Sequence, residues 1–404
     1  MIIELVRLRR TAFFFLLLFF QRPAFGQRTD GDIVLAVRLR KKSDSVGIYL
    51  APLKYNKTFA FSFTLDDGLI SAYKVAFPFF NGGKVSGPYK DQWKYDQGGD
   101  GKYYPGLYFT DGCGHRIAFR AAMAINAGKI EGSNTVDHPG FLSWSQIDSM
   151  YRAGWELLNH GYMHRTGLEV KAGYEVSENN KVLKDVLNID MKGFVIPGGK
   201  DDLVSDGAYT EAAFDMGMQT VQCEHFGDYI LIPDKQSTLS HLKLGRKFLH
   251  SALTDSTRSN GAALFNEINT HLRDGKSFWV NAFTHGVGNQ NIWGISLTFT
   301  GFKNIFDKLA SRYGEQGCDC MWMAPTQEVY EYLRNRRALQ YDIHKKGKWI
   351  LLRLHAALLP SGSKYREFTF VMRPGQRIKK IHCDGCIVES YSSGEESQLI
   401  NLKW

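Results

Sequence analysis

Residues Phe59–Leu65 alternate large apolar with small side chains (Phe-Ala-Phe-Ser-Phe-Thr-Leu), the period of two of a β-strand. Ser143-Trp144-Ser145-Gln146 has the Ser-x-x-Gln form of a capping box. Trp144, Ile147, Met150 and Tyr151 then recur at helical spacing until Gly154 stops the helix. Residues 155–159 read as a strand and 178–188 as a helix with Val182, Leu183, Val186 and Leu187 on one side; 193–197 reads as a further strand. The beat continues with a helix near 207–216, a strand at 218–222, a helix near 262–273 and a strand at 278–284. A helix near 302–313, a strand at 321–324 and a helix from Gln327 to about Ala338 close the series. Strands alternating with helices predict a parallel α/β architecture, and six or seven such units in one domain predict a closed or partly closed barrel.

Two segments break the pattern. Residues 81–106 hold seven glycines with Tyr89, Trp93, Tyr95, Tyr103 and Tyr104, which reads as a long loop or insertion. Its rings either pack the loop onto the body, the favoured reading, or stack on sugar faces. Beyond residue 340, alternating runs such as 348–355 and 367–372 predict a small β-rich appendage, 341–404.

The N-terminus has a different character. Arg7, Arg9 and Arg10 precede an apolar run from Ala12 to Phe20, and the small residues Ala24 and Gly26 follow Pro23. That is the layout of a secretory signal peptide over 1–26, which predicts export to a periplasmic or extracellular space. A short membrane anchor is the alternative, although no apolar run reaches the roughly 18–20 residues of a span. The body of the protein is then 27–340. Net charge falls from +9 to about +6 once residues 1–26 are removed, with no long basic block, so a nucleic-acid partner is not expected. With 44% hydrophobic and 23% charged residues, the composition is that of a globular chain and excludes a disordered one.

Six cysteines (Cys113, Cys223, Cys318, Cys320, Cys383, Cys386) lie in the part expected to be exported, where disulfides persist. Fifteen pairings are open to them. Cys318-x-Cys320 with Cys383-x-x-Cys386 lacks the usual zinc-knuckle spacing. Cys383-Asp384-Gly385-Cys386 reads more simply as a hairpin tip.

Three short segments fall where strands should end. The first is Thr64-Leu65-Asp66-Asp67-Gly68. Adjacent carboxylates raise each other's pKa unless a cation or donor intervenes. They face opposite ways along a strand, so one can take a metal while the other faces a substrate. Taken alone, a solvated Asp-Asp-Gly turn is the more ordinary reading. The second is His160-Gly161-Tyr162-Met163-His164, whose histidines can reach one ion, although such a pair arises readily by chance. The third is Thr284-His285-Gly286, alone no more than a loop histidine. Together they are more specific. Catalytic groups of α/β barrels gather at the C-terminal ends of the strands. Two histidines and one carboxylate leave a metal position open, as in catalytic zinc sites, and one Asp and one His remain as base and acid.

These segments resemble those of the polysaccharide deacetylases with a NodB homology domain, carbohydrate esterase family 4. Thr-x-Asp-Asp-Gly, His-x-x-x-His and a late strand ending in His carry the resemblance, as does the helix and strand running from Leu142 to His160. It covers roughly residues 55–340. It implies a distorted (β/α) barrel, a divalent metal, most often zinc, and removal of acetyl groups from glycans. Asp66 matches the general base, Asp67, His160 and His164 the metal ligands, and His285 the general acid. The implied nucleophile is a metal-bound water. N-acetylated polysaccharide is the implied substrate and O-acetylated glycan a second one.

The chain departs from the family in places. Where the family has an Arg-x-Pro-Tyr type segment, this chain has Val195-Ile196-Pro197-Gly198, with Val195 in the Arg place. The base is thus expected to lack its tether, with Lys200 as a substitute, while the backbone N–H of Gly198 is still placed to serve an oxyanion. The interval from Asp67 to His160 is longer than usual, and residues 108–115 are expected to bring further polar groups near the site. Two alternatives follow: a catalytically weak or inactive glycan-binding protein on the same fold, and a metal hydrolase of a non-sugar amide. The motifs do not specify the sugar, the linkage or the oligomeric state.

Overall fold

The computed structural model describes residues 32–90, 96–133, 140–167, 170–198, 203–235, 239–251, 259–288, 297–392 and 396–404. The expected signal segment 1–26 lies outside them. Among the described residues no helix is long and apolar enough to cross a membrane.

Two strands, β1 (Asp32–Leu39) and β2 (Gly47–Leu50), precede the barrel. The barrel is built on β3 (Phe59–Leu65), β4 (Ala122–Ile125), β5 (Glu156–Asn159), β6 (Gly193–Val195), β7 (Thr220–Cys223) and β8 (Leu242–Gly245). It continues with β9 (Lys247–Phe248), β10 (Phe278–Thr284) and β11 (Met321–Met323). Parallel pairing runs from β10 through β3, β4, β5, β6 and β7 to β8. One residue after β8, β9 pairs in parallel with β10, so the strand order returns to its start. The kink at Arg246 therefore closes the ring. This is the (β/α) barrel that the alternation predicts, distorted by β11, which pairs only with the first half of β3.

The period of two in β3 separates the barrel's inside from its helical coat rather than core from water, since all seven residues are buried. Phe63 packs on Phe80, Phe302 and Phe306. Ser62 faces the other way, where its hydroxyl accepts from Trp279 Nε1 at 3.0 Å and donates to the Ala324 carbonyl at 2.8 Å. Asn281 Nδ2 donates at 3.0 Å to Gln222 Oε1, joining strands that are not neighbours, so that bond crosses the interior. The bond satisfies one polar atom of each residue, while Gln222 Nε2 and Asn281 Oδ1 make no hydrogen bond among the described residues.

Seven helices concern the site: α1 (Ala127–Ser133), α2 (Trp144–Arg152), α3 (Ala172–Leu187), α4 (Leu203–Asp215), α5 (Gly261–Arg273), α6 (Phe299–Tyr313) and α7 (Thr326–Ala338). Both hydrogen bonds of the expected capping box at Ser143 and Gln146 are present.

After α7 come β12 (Tyr341–Lys346), β13 (Trp349–His355), β14 (Glu367–Arg373), β15 (Ile378–Asp384), β16 (Ile387–Tyr391) and β17 (Gln398–Lys403). They do not build their sheets alone. β1 lies between β13 and β15, and β2 adds to the edge of the β14–β17–β16 sheet. Cys383–Cys386 and Cys318–Cys320 are disulfides, so neither pair is a zinc knuckle; Cys113 and Cys223 are free. Asp384-Gly385 is a turn, with Gly385 at φ 84°, but not the expected hairpin tip: β15 pairs with β1 and β16 with β17, so the chain crosses here from one sheet to the other.

In the glycine-rich insertion, Tyr104 packs edge-on against Phe79 and Phe299 whereas Tyr103 is 78% exposed. Trp93 and Tyr95 lie outside the described residues. The segment 108–115 turns away from the strand ends that carry the chemistry. Thr110 N–H donates to Asp319, near the start of β3, and the Asp111 carbonyl accepts from Asn401 on β17. It brings no polar group to the site.

Candidate metal and catalytic site

Asp66, His160, Arg246 and His285 each follow the last residue of a parallel barrel strand, so four separate stretches of chain converge on one rim. Register sets the closest pair: Leu65 lies opposite Thr284, and Asp66 N–H donates to the Thr284 carbonyl at 2.9 Å, which seats Asp66 beside His285.

The two aspartates have opposite surroundings. Asp67 adopts φ 69°, a left-handed conformation that Asp tolerates better than most residues, and Gly68 continues at φ 67°. This turn swings Asp67 away from Asp66 and towards the histidines. Asp67 Oδ1 lies 3.8 Å from His160 Nε2, 3.4 Å from His164 Nε2 and 3.4 Å from Lys129 Nζ. Burial pushes this carboxyl up, but Lys129, His164, His285 and His160 outweigh it and hold Asp67 well below the usual carboxylate range.

His160 is buried, and its Nδ1 lies 2.9 Å from the Val195 carbonyl. That acceptor requires the proton on Nδ1 and leaves the lone pair on Nε2, which makes no hydrogen bond among the described residues and faces Asp67. Burial, then His164, lowers the His160 pKa far below its ordinary value, so the ring is neutral. A neutral imidazole with an orphaned, inward lone pair beside an ionised carboxylate is the donor set of a divalent metal, and His164 supplies the third atom. The residues fit the ion.

The histidine loop is pinned from beneath. Asn126 Nδ2 donates to the His160 and Gly161 carbonyls, and Glu175 Oε2 accepts from Met163 N–H at 2.7 Å. Gly161 sits at φ 74°, where a Cβ would come within 3.1 Å of Glu175 Oε2 and 3.2 Å of Pro197 Cγ. Asn159 and Asn179 bond to each other at 2.8 Å and to neighbouring backbone.

Asp66 faces elsewhere. Arg246 Nη1 lies 3.0 Å from its Oδ1 and 2.7 Å from its Oδ2, and both side chains are buried. The guanidinium carbon is 3.7 Å from the centre of the Phe283 ring. Burial raises the Asp66 pKa above the usual carboxylate range, with Arg246 and then His285 opposing the rise. Asp66, the expected base, is therefore tethered after all, and by Arg246 from the β8–β9 kink. Val195 occupies the expected arginine position with its side chain in a small apolar cluster with Ala122, Ala124 and Leu158, and it contributes only its carbonyl. Lys200 lies outside the described residues, and Gly198 follows β6 at φ 97°. His285 is half-buried, edge-on to Phe248 at 5.4 Å and near Phe283.

No family model matches the chain, and neither does any curated protein. Solved structures do match. Polysaccharide deacetylases recur among them. A deacetylase from Streptococcus pyogenes in complex with acetate is 15% identical, with a TM-score of 0.26 over 39% of this chain; the match spans about half of that protein, 53%. A peptidoglycan deacetylase from Bacillus subtilis is 11% identical over 70% of this chain and 94% of its own, with a TM-score of 0.33. An allantoinase is 12% identical over 68% and 89%, with a TM-score of 0.38.

Proposed function

We propose that the chain is an exported, metal-dependent hydrolase that removes acetyl groups from N-acetylated polysaccharide, with O-acetylated glycan as a second substrate. One observation carries this reading: two adjacent carboxylates at a strand end are turned to opposite partners. Asp67 faces His160 and His164, and Asp66 faces Arg246 with His285 alongside. Such a division gives two like groups two roles.

A divalent ion held by Asp67, His160 and His164, zinc by its donor set, supplies Lewis acidity to the acetyl carbonyl. The remaining work belongs to the chain. Asp66 accepts a proton from the attacking water, and Arg246 keeps its carboxylate ionised and oriented while it waits. The N–H of Gly198 is assigned to the developing oxyanion on the strength of the family resemblance. His285 returns a proton to the departing nitrogen or oxygen, so acetate leaves and the sugar amine or hydroxyl is restored. The inactive-binder alternative draws its motives from an untethered base and from the aromatic-rich loop, and Arg246 answers the first of them. Export rests on the layout of residues 1–26.

The test is acetate release by metal-stripped and zinc-reloaded protein on a panel of N- and O-acetylated oligosaccharides. Zinc-dependent acetate from any member supports the proposal. None from protein that demonstrably binds zinc would leave a glycan-binding protein or a hydrolase of another amide.

A further inference from the structure

A second group of metal-competent side chains lies on the same rim and takes no part in the chemistry above. Asp206, in the first turns of α4, meets Cys223, the last residue of β7, and His225 two residues on. The Asp206 Oδ2 to His225 Nδ1 distance is 2.9 Å; Cys223 Sγ lies 3.4 Å from Asp206 Oδ2 and 3.5 Å from His225 Nδ1. Cys223 is 4% exposed and Asp206 9%.

A nucleophilic Cys–His–Asp relay is excluded by the atoms involved. A relay uses the two ring nitrogens in series, one towards the carboxylate and one towards the thiol. Here both partners face the same nitrogen, Nδ1, while Nε2 is buried and makes no hydrogen bond among the described residues. One Nδ1 proton can satisfy only one of them. Three atoms with lone pairs, a sulfur, a nitrogen and an oxygen, instead converge on a common point.

From the geometry we infer that Asp206, Cys223 and His225 form a second divalent-metal site of the zinc type, separate from the one at Asp67. A tetrahedral zinc with ordinary bond lengths holds its nitrogen and oxygen ligands about 3.3 Å apart and each about 3.6 Å from a sulfur. The observed triangle needs only a slight opening to reach that. Thiolate and carboxylate together neutralise a divalent cation, so the ion adds no net charge to a buried place. The mixed sulfur–nitrogen–oxygen set selects zinc over magnesium or calcium. Cys223 lies opposite Gly245 in the β7–β8 register, one residue from Arg246. An ion here ties α4 to the strand edge from which Arg246 reaches Asp66, and its role is to brace that corner.

The test is cobalt substitution of the untagged full chain with its two disulfides intact and Cys223 kept as the free thiol, read by elemental analysis and near-ultraviolet absorption. The expected result is two ions per chain and a thiolate-to-cobalt charge-transfer band. Cys223→Ser and His225→Gln should each lose one ion, and Cys223→Ser the band. Cys113→Ser should keep both, and Asp67→Asn should lose one ion but keep the band. A wild-type protein without the band, or a band that survives Cys223→Ser, overturns the site, and the wild-type spectrum decides this even where a variant does not fold. Because the band needs no turnover, absence of deacetylase activity leaves this result standing, and the reverse also holds.

Discussion

Arg246 Nη1 sits 2.7 Å from Asp66 Oδ2, across a sequence separation of 180 residues, and both side chains are buried. An ion pair out of water depends on both partners, and removing one strands the other. Replacing Arg246 by Met should lower turnover about 100- to 10,000-fold, the range in which a general base contributes. Arg246 holds the Asp66 pKa down against burial, so its loss should raise that pKa further. The acidic limb of the pH–rate profile should move to higher pH, with Arg246→Lys in between. An unshifted limb would mean that Arg246 serves only the fold.

His285 should behave differently from Asp66. If it protonates the leaving group, His285→Gln should cost about 100- to 10,000-fold on an N-acetyl sugar but far less on an aryl acetate, whose phenolate departs without a proton. Parallel kinetics on the two substrates provide the check. Equal losses on both would assign His285 to another step.

Zinc should stabilise the folded chain through Asp67, His160 and His164. At 100 times its dissociation constant a single ion adds about 2.7 kcal/mol, roughly 3 °C in Tm for a chain of this size. His160→Gln should bind one ion fewer by elemental analysis and lose that increment in a thermal scan. An unchanged metal content would remove His160 from the ligand set.

Glu156, at the start of β5, is pushed up to about 8 by burial, with Gln327 N–H opposing and the nearby Glu331 and Glu328 adding to the rise. In the unfolded chain it titrates near 4.5. Between these values the folded state retains a proton that the unfolded state has released, so stability falls as pH rises from about 4.5 to about 8. Glu156→Gln keeps an oxygen for the Gln327 N–H at 3.0 Å and removes the titration. The variant should melt above wild type at pH 8 and level with it near pH 4. A lower melting temperature at pH 8 would show that the carboxylate is charged and paired.

The barrel was legible because its strands and helices carry periodicity within single segments: β10 and α5 lie almost where the pattern puts them. β4, Ala122–Ile125, was not, since its Ala-Met-Ala-Ile alternation is only four residues long, too short to stand out from its surroundings. The candidate metal site was legible because Asp67, His160 and His164, which the fold brings together, sit in compact motifs. Arg246 was not. A lone arginine between two short strands has no local pattern, and its meaning comes only from ring closure, which brings β9 alongside β10. Lys129 and Asn126 escaped for the same reason, their partners being 62 and 34 residues away.

The pairing of β1 with β13 and β15 also dictates an order of assembly. Leu35 finds its neighbours in Leu352 and Cys383, so β1 has no strand partner until β13 and β15, on the far side of the barrel sequence, have been synthesised. The intervening barrel is wound from nearer neighbours and can form sooner, whereas the two outer sheets must wait for contacts of the longest range in the chain. Until then β1 is an unpaired apolar edge, the kind of surface that invites association with another copy. The sheets that join the two ends of the chain are its last structure to form, and during synthesis its most exposed liability.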